Sequence, residues 1–361
     1  MKPHFAPFAA ATLFAATLLT TPALADKVNL TYLENAPAPI GTVTDAEIAA
    51  LAKSEFTHVV FAFVNFCTPD ASSSRGFTCP GDDAVPVWNI KAAYDSNGDP
   101  FPAAQAAVKS LTDAGKTVYL SVGAWDNPET WDYFGPGGQR AITGAQRLYK
   151  FMDDYHITGV DYDMEDHDHW STAPNTAGFY NLVDALVQVA QTQNRAVPPM
   201  SIAPYASDQT ASDPFSIQWQ MCEMARAGVT PALINRQYYS GGHTGNIPAA
   251  MTADMAPFTC ADGTKLAVTP EILNPGIGIA LTQLPADKQP SSPPNCENAT
   301  TAPYFAACAS IVSGIVAAQP DIAGVALWDY DGLLQSGQAA YPAAYPCEVD
   351  NALNGTSNSC Q

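Results

Sequence analysis

The sequence predicts a single α/β domain built as a (β/α)8 barrel, or TIM barrel. Eight short apolar segments follow one another along the chain, separated by helical patterns or long connections. Such alternation predicts a parallel sheet, and eight repeated units predict its closure into a barrel. Residues 26–361 are long for one β-sandwich and ordinary for one barrel with loop insertions. They contain no low-complexity linker or repeat that would indicate a second module.

The eight predicted strands are short runs of apolar, β-branched and aromatic residues. They cover 28–32, 58–66, 117–122, 159–165, 200–203, 234–239, 276–280 and 324–328. Helical periodicity is clearest at 103–114, 144–155, 179–192 and 304–318. In a barrel of this kind the functional side chains lie at the carboxyl ends of the strands, so we expect the chemistry there.

The first 25 residues have the features of a secretory signal peptide. Lys2 provides a basic start, 8–19 are almost wholly apolar, and Ala23-Leu24-Ala25 is a small-x-small cleavage site. A membrane anchor is the alternative, but roughly a dozen apolar residues fall short of the ~20 that span a bilayer. We therefore predict a signal peptide at 1–25, a barrel domain at 26–361, and secretion to the extracellular space or the periplasm.

The cysteines agree with export, because an even number in an exported chain suggests disulfide bonds. Eight cysteines allow 105 pairings, and we expect the pairs to form between neighbours in the sequence, each closing one loop. These pairs are Cys67–Cys79, Cys222–Cys260, Cys296–Cys308 and Cys347–Cys360. Zinc is the competing explanation, but no C-x-x-C spacing occurs.

The charge balance argues against nucleic acid as a partner, since 35 acidic residues against 15 basic ones give a net charge of −20. The run from Asp166 to His169 superficially resembles a metal site. We interpret it instead as a loop at the rim of the barrel. We expect no metal, no cofactor and no membrane association, and we expect a monomer.

The decisive segment is 159–165. Side chains alternate along a strand, so Asp161, Asp163 and Glu165 share one face. Three buried carboxyls are costly and raise one another's pKa, which keeps a carboxylic acid protonated near neutral pH. A solvated edge strand is the alternative, but Gly159 and Val160 continue an apolar approach typical of buried parallel strands. Glu165, at the end of this strand, is the candidate catalytic acid.

This segment also resembles a known signature. Thr158-Gly-Val-Asp-Tyr-Asp-Met-Glu165 is similar to the D-G-x-D-x-D-x-E motif of glycoside hydrolase family 18, the chitinase family, with Thr158 in place of the first Asp. Four further segments resemble that family in the same order, and in the first of them Ala124 replaces the second glycine of S-x-G-G. They are 120–124, 61–65, 236–240 and 324–328. The pattern is most similar to the small hevamine-like and bacterial members.

The resemblance implies a retaining mechanism in which the substrate supplies the nucleophile. Glu165 then protonates the glycosidic oxygen, while the 2-acetamido carbonyl of the sugar attacks the anomeric carbon. Asp163 holds that acetamido group, and Asp161 lies behind Asp163 and shares a proton with it. Tyr239 donates a hydrogen bond to the acetamido oxygen.

The resemblance also implies a substrate-binding set made of Trp328, Gln237, Phe63 and Trp125. Trp328 forms the floor of the sugar subsite, and Gln237 shares a strand face with Tyr239. Cis peptides at Ala62–Phe63 and Trp328–Asp329 are expected. Without the acidic strand, Tyr239 and Trp328 would read as core aromatics, and Trp125 fits a surface packing role equally well.

Three functions remain open, and all concern sugars that contain N-acetylglucosamine. The first is an endo-acting chitinase, the second an endo-β-N-acetylglucosaminidase acting on N-glycans, and the third a non-catalytic lectin or inhibitor. Retention of Glu165 favours an enzyme, whereas Thr158 and Ala124 keep the third possibility open. Residues 280–323 hold one predicted disulfide loop and one helix, so we expect no large insertion domain, an open groove and non-processive cleavage.

Overall fold

Eight parallel strands close into a barrel in the computed structural model, which describes residues 27–66, 86–88, 91–124, 128–165, 176–205, 209–239, 246–280, 295–297 and 301–360. Closure is complete because the first strand pairs with both the second and the last. The predicted (β/α)8 barrel is confirmed. Its strands are β1 (Val28–Leu33), β2 (His58–Asn65), β3 (Thr117–Gly123), β4 (Gly159–Asp163), β5 (Met200–Ile202), β6 (Leu233–Gln237), β7 (Leu273–Ala280) and β8 (Gly324–Trp328).

The predicted strand bounds were wrong at two functional ends. The strand predicted at 159–165 ends at Asp163, because its last partners are Gly123 on β3 and Ile202 on the three-residue β5. Likewise, β6 ends at Gln237 and Tyr239 lies in the turn that follows. Glu165 and Tyr239 are therefore held by loops just beyond the strands.

Helices lie between successive strands in the described part of the chain. The four predicted helices are confirmed with small shifts at their ends, except that the second begins six residues earlier than predicted. The helices are α1 (Asp45–Lys53), α2 (Pro102–Asp113), α3 (Pro128–Phe134), α4 (Gly138–Asp154), α5 (Ala177–Thr192), α6 (Ile217–Arg226), α7 (Ile247–Asp254), α8 (Ala306–Ala318), α9 (Tyr330–Gln335) and α10 (Tyr341–Asn354).

The barrel has two hydrophobic cores, one between the sheet and the helices and one inside the barrel, and β2 contributes side chains to both. Val59 and Phe61 pack outward in the large cluster between sheet and helices, whereas Val60 and Ala62 pack inward. A strand covered on both sides reads as a continuous apolar run, which is why β2 was recognisable. The pairing of β2 with β3 shifts register between Ala62 and Val64, and Phe63 belongs to the inner cluster.

Smaller elements decorate the barrel. Two short hairpins occur at Val87–Trp88 with Lys91–Ala92 and at Phe258–Thr259 with Lys265–Leu266. A strand at Asn295–Glu297 pairs with β7, and a 3-10 turn at Pro270–Ile272 precedes β7. Within the described ranges, that strand and α8 account for the connection from β7 to β8, so no insertion domain is present there.

Two of the four predicted disulfides are confirmed, Cys222–Cys260 and Cys347–Cys360. Cys308 is also disulfide-bonded. The side chain of its predicted partner Cys296 and the predicted pair Cys67–Cys79 lie outside the described residues, so both of these pairings stay predictions.

The start of β1 and the end of α10 meet at the amino-terminal face of the barrel. The backbone N–H of Lys27, just before β1, donates to Asn354 Oδ1 at the end of α10 (3.2 Å).

Residues 1–26 are outside the described part, so the signal peptide stays a prediction. Among the described helices, none combines the length and apolar character needed to cross a membrane.

Candidate active site

The carboxyl end of β4 brings three acids into the barrel. Asp161, Asp163 and Glu165 are 0%, 3% and 7% exposed, although each carries a carboxyl group. Burial at this level requires hydrogen-bond partners for the carboxyl oxygens. The structure supplies different partners to the lower acid, Asp161, than to the upper two.

Asp161 lies in a layer of neutral polar side chains that cross the barrel interior. Its Oδ1 accepts from Ser201 Oγ (2.5 Å) and Asn235 Nδ2 (3.2 Å), and its Oδ2 accepts from Ser121 Oγ (2.8 Å) and Tyr32 OH (3.2 Å). These donors come from β5, β6, β3 and β1. Four strands therefore hold this one carboxyl in place.

This layer can accommodate Asp161 with or without a proton. Burial raises the pKa of Asp161, and the hydrogen bonds from Ser201 and Ser121 offset part of that rise. Asn235 is a fixed donor, because its own Oδ1 accepts from Asn274 Nδ2 (2.8 Å). The hydroxyls of Ser121 and Tyr32 can rotate, so Oδ2 is the oxygen that can carry a proton without losing its partners.

Gln237, the last residue of β6, connects the two upper acids. Its Nε2 lies 2.6 Å from Glu165 Oε1 and 3.1 Å from Asp163 Oδ1, and it also donates to Ala203 O at 2.9 Å. The side chain is 4% exposed. The structure thus brings Gln237 into contact with Asp163 and Glu165, three residues that the sequence analysis had assigned to the same site.

Aromatic rings form the wall beside these acids. Trp328, at the end of β8, is partly buried and stacks on Tyr239 with ring centroids 6.3 Å apart and planes 13° from parallel. Phe63 lies 6.0 Å and Tyr32 5.5 Å from the same Trp328 ring. Three predicted site aromatics therefore share one wall, whereas Trp125 falls outside the described residues.

Tyr239 is suited to act as a hydrogen-bond donor. Burial raises the pKa of its phenol well above the usual range, and the nearby carboxyls of Glu165 and Asp163 raise it further. The phenol consequently keeps its proton at neutral pH. The two expected cis peptides, Ala62–Phe63 and Trp328–Asp329, are both present.

The turn after β3 brings backbone against β4. Gly123 has φ 118°, and a Cβ there would lie 2.1 Å from Asp163 O, so only glycine fits. Ala124 has φ 136°, is fully buried, and donates its N–H to Asp163 O (3.1 Å). The alanine that replaces the second glycine of the family pattern is therefore accommodated in a backbone conformation that glycine adopts more readily.

Thr158, which stands in place of the first Asp of the family motif, lies away from the acidic site. It precedes β4, at the opposite end of the barrel from Glu165. Its hydroxyl donates to Val118 O (2.8 Å) and accepts from Val118 N–H (3.2 Å). Thr158 therefore reinforces the pairing of β3 with β4 at the amino-terminal face.

The sequence interpretation missed several polar residues around the site. The inner layer of Tyr32, Ser121, Ser201, Asn235 and Asn274 was not predicted, although each interrupts an apolar strand. On the helix-facing side of β6, Arg236 is fully buried and forms an ion pair with Asp254 of α7, with 3.2 Å between Nε and Oδ2. The hydroxyl of Tyr238 donates to the same Oδ2 (2.7 Å). The presence of a charged residue, Arg236, within a buried strand could have indicated a buried ion pair.

Comparisons with known proteins place this barrel among solved folds. No protein-family model and no curated protein matches the sequence. Among solved structures, a family GH18 chitinase from Chromobacterium violaceum is 15% identical, with a TM-score of 0.57 over 91% of this chain and 84% of that one. A chitinase from Aspergillus fumigatus is 16% identical, with a TM-score of 0.58 over 84% and 91%.

A third solved structure with a similar fold is that of an enzyme with a different activity. A fungal endo-β-N-acetylglucosaminidase from glycosyl hydrolase family 18 is 15% identical, with a TM-score of 0.58 over 90% of this chain and 98% of that one. The chain is thus a parallel (β/α)8 barrel with buried acids at its carboxyl face. More specifically, it has the fold of glycoside hydrolase family 18.

Proposed function

We propose that this protein is a secreted glycoside hydrolase that cleaves the β-1,4 bonds of N-acetylglucosamine polymers such as chitin. One observation carries the proposal. Two buried carboxyls, Asp163 and Glu165, and the phenol of Tyr239 meet beside the partly buried Trp328 at the carboxyl face of the barrel. Such a set combines an acid, a hydrogen-bond donor and an apolar surface for a sugar ring.

In the proposed reaction Glu165 is the general acid. Its proton passes to the glycosidic oxygen as the bond from that oxygen to C1 breaks. The acetamido carbonyl oxygen of the same sugar forms a new bond to C1 and gives an oxazolinium intermediate. Water then attacks C1 and gives a proton to Glu165 as the bond from C1 to the acetamido oxygen breaks, so two displacements leave the β configuration unchanged.

Asp163 and Tyr239 act on the acetamido group. Asp163 stabilises the positive charge that develops on the acetamido nitrogen, and Tyr239 donates to the acetamido oxygen. Asp161 shares a proton with Asp163 from below, and its rotatable hydroxyl partners, Ser121 and Tyr32, allow Asp161 to hold that proton while Asp163 is ionised. Trp328 and Phe63 provide the apolar floor of the sugar subsite.

A second hydrolase activity, on N-glycans, is supported by the fold of the fungal endo-β-N-acetylglucosaminidase. The chitin proposal takes precedence because the described part of the connection from β7 to β8 contains no insertion domain. We infer an open groove, which suits an extended polymer that is cut internally and without processive movement. A non-catalytic lectin on the same barrel is disfavoured by the retention of Glu165. The predicted signal peptide at 1–25 and the two described disulfides support secretion.

The test compares substrates that differ at one group. Chitin oligosaccharides, cello-oligosaccharides and a high-mannose glycoprotein are incubated with the protein, and early products are followed by proton NMR. We expect cleavage of the acetamido sugar alone and a first product of β configuration. An initial α anomer, or equal cleavage of the cello-oligosaccharide, refutes substrate assistance. Tight chitin binding without any cleavage supports the lectin, and release of the glycan supports the second hydrolase.

A further inference from the structure

Among the described residues, those that contact the side-chain nitrogen of Gln237 all do so through acceptor oxygens. The three oxygens within 3.1 Å of Nε2 belong to Glu165, Asp163 and the backbone carbonyl of Ala203. A carbonyl oxygen cannot donate, so the amide must turn its NH2 group, and not its oxygen, toward this cluster. The orientation of Gln237 is therefore fixed by its surroundings.

This orientation has a consequence for the two acids. An amide nitrogen has two hydrogens, and here it faces three acceptors. With one hydrogen on Ala203 O, the other lies between Asp163 Oδ1 and Glu165 Oε1. Both carboxyl oxygens must then present lone pairs to Gln237. When Glu165 carries its proton, that proton is on Oε2, away from Gln237.

We propose that Gln237 is a positioning residue for the acid pair, which fixes the oxygen of Glu165 that carries the catalytic proton and keeps Asp163 ionised beside it. The inference rests on the proposed hydrolase function. Without the amide, the two buried carboxyls would lose the donor that they share, and the repulsion between their like charges would lead one of them to take up a proton at higher pH. Gln237 thus acts on the protonation of the pair rather than on the sugar.

Other titratable groups face the same pair and are unchanged in the test. Asp161 lies below it on β4, Tyr239 follows β6, Tyr32 is on β1 and Asp329 follows β8. Tyr32 and Tyr239 stay neutral, because burial raises the pKa of each phenol well above its usual range. A shift on changing Gln237 therefore reports the acids and not the phenols.

The first measurement is the pH profile of kcat/KM on a chitin oligosaccharide. Gln237→Met keeps the length of the side chain but removes the donor, and loss of a hydrogen bond to a carboxylate raises its pKa by about one unit. We expect both limbs of the profile to move to higher pH by that amount. Gln237→Lys places a cationic donor at the same point, so both limbs should move to lower pH.

Gln220 provides the matched control. It is also a fully buried glutamine whose Nε2 donates to a backbone carbonyl, Pro214 O at 3.1 Å, but it lies on α6. Gln220→Met should leave both limbs where they are in the wild type. If Gln237→Met lowers kcat/KM by the same factor at every pH, without moving the limbs, the inference is wrong and Gln237 has a structural or substrate-binding role.

A second measurement does not depend on activity. Hydrogen bonds from Gln237 lower the pKa of the folded carboxyls, so the stability they provide is present at neutral pH and lost as the pH falls through those pKa values. The Tm deficit of Gln237→Met should be larger at pH 7.5 than at pH 4, and that of Gln220→Met should be the same at both. An equal deficit at both values overturns the inference. A pH-dependent deficit in a protein that cleaves no acetamido sugar refutes the proposed function alone.

Discussion

Replacing Glu165 by glutamine removes the transferable carboxyl proton and changes the size and shape of the side chain very little. The carboxyl is 7% exposed, and its Oε1 accepts from Gln237 Nε2 at 2.6 Å. A glutamine oxygen can accept the same hydrogen bond, so we expect a cooperative unfolding transition near the wild-type Tm. The new amide cannot protonate a glycosidic oxygen. General acid catalysis supplies about 10²- to 10⁴-fold, or about 3–5 kcal/mol of the activation barrier.

The assay is kcat on a chitin oligosaccharide, read together with oligosaccharide binding by calorimetry. Glu165→Gln should lose at least about a hundredfold in kcat and still bind. Glu223→Gln is the control, because Glu223 lies on α6 and pairs with Arg226 at 2.7 Å, away from the barrel mouth. A variant that retains a tenth of the wild-type activity would show that Glu165 is not the catalytic acid.

Three further predictions test other parts of the structure. Asp163→Asn should cost about 10²- to 10³-fold in kcat because it removes the charge that faces the developing cation, whereas Asp161→Asn should cost less, since the rotatable hydroxyls around Asp161 accept an amide. Asp254→Leu should lower the free energy of unfolding by about 3–5 kcal/mol, because it leaves the charge of Arg236 buried without its partner. Burial lowers the pKa of His58 to about 4. Unfolded chains therefore bind the extra proton between pH 6.5 and 4, and stability falls by up to about 3 kcal/mol over that window, a loss that His58→Gln should abolish.

Each of these three has its own check. Kinetics decide the first, and an Asp161→Asn variant as impaired as Asp163→Asn would contradict the separate roles. Urea unfolding decides the second, with Asp113→Asn as control, since the pair of Asp113 with Lys109 (2.6 Å) is exposed and worth at most about 1 kcal/mol. Urea unfolding from pH 7 to 4 decides the third, and unchanged pH dependence in His58→Gln would exclude His58 as the source.

The strands were predictable because a buried parallel strand carries its signal locally. Within the strand from His58 to Asn65, residues 59–64 are all apolar, and this pattern can be recognised without knowing the neighbouring strands. The acids of β4 stood out for the same reason, since three carboxyls in such a run are costly wherever the strand lies. Thr158 shows the limit of this approach, because the sequence does not reveal that its hydroxyl bonds to the backbone of Val118 on the neighbouring strand.

The partners of the acids were not predictable, because they depend on register. Ser121 and Ser201 are each 40 residues from Asp161 in sequence, and Asn235 is 74 residues away. Only the pairing of β3, β4, β5 and β6 brings them to one level of the barrel. The contact of Gln237 with Asp163 and Glu165 likewise depends on β5, a strand of three residues that lies between β4 and β6. One residue of slip there would separate them.

The contact between Lys27 and Asn354 has a practical consequence for attaching this protein to other materials. Both residues lie at the amino-terminal face, whereas Trp328 and the acids lie at the opposite end of the barrel. A tether or fusion partner joined near either residue would point away from the cleft. Immobilisation on a bead through that face should therefore leave a rigid polymer surface free to approach the mouth, which attachment through loops after the strands would obstruct.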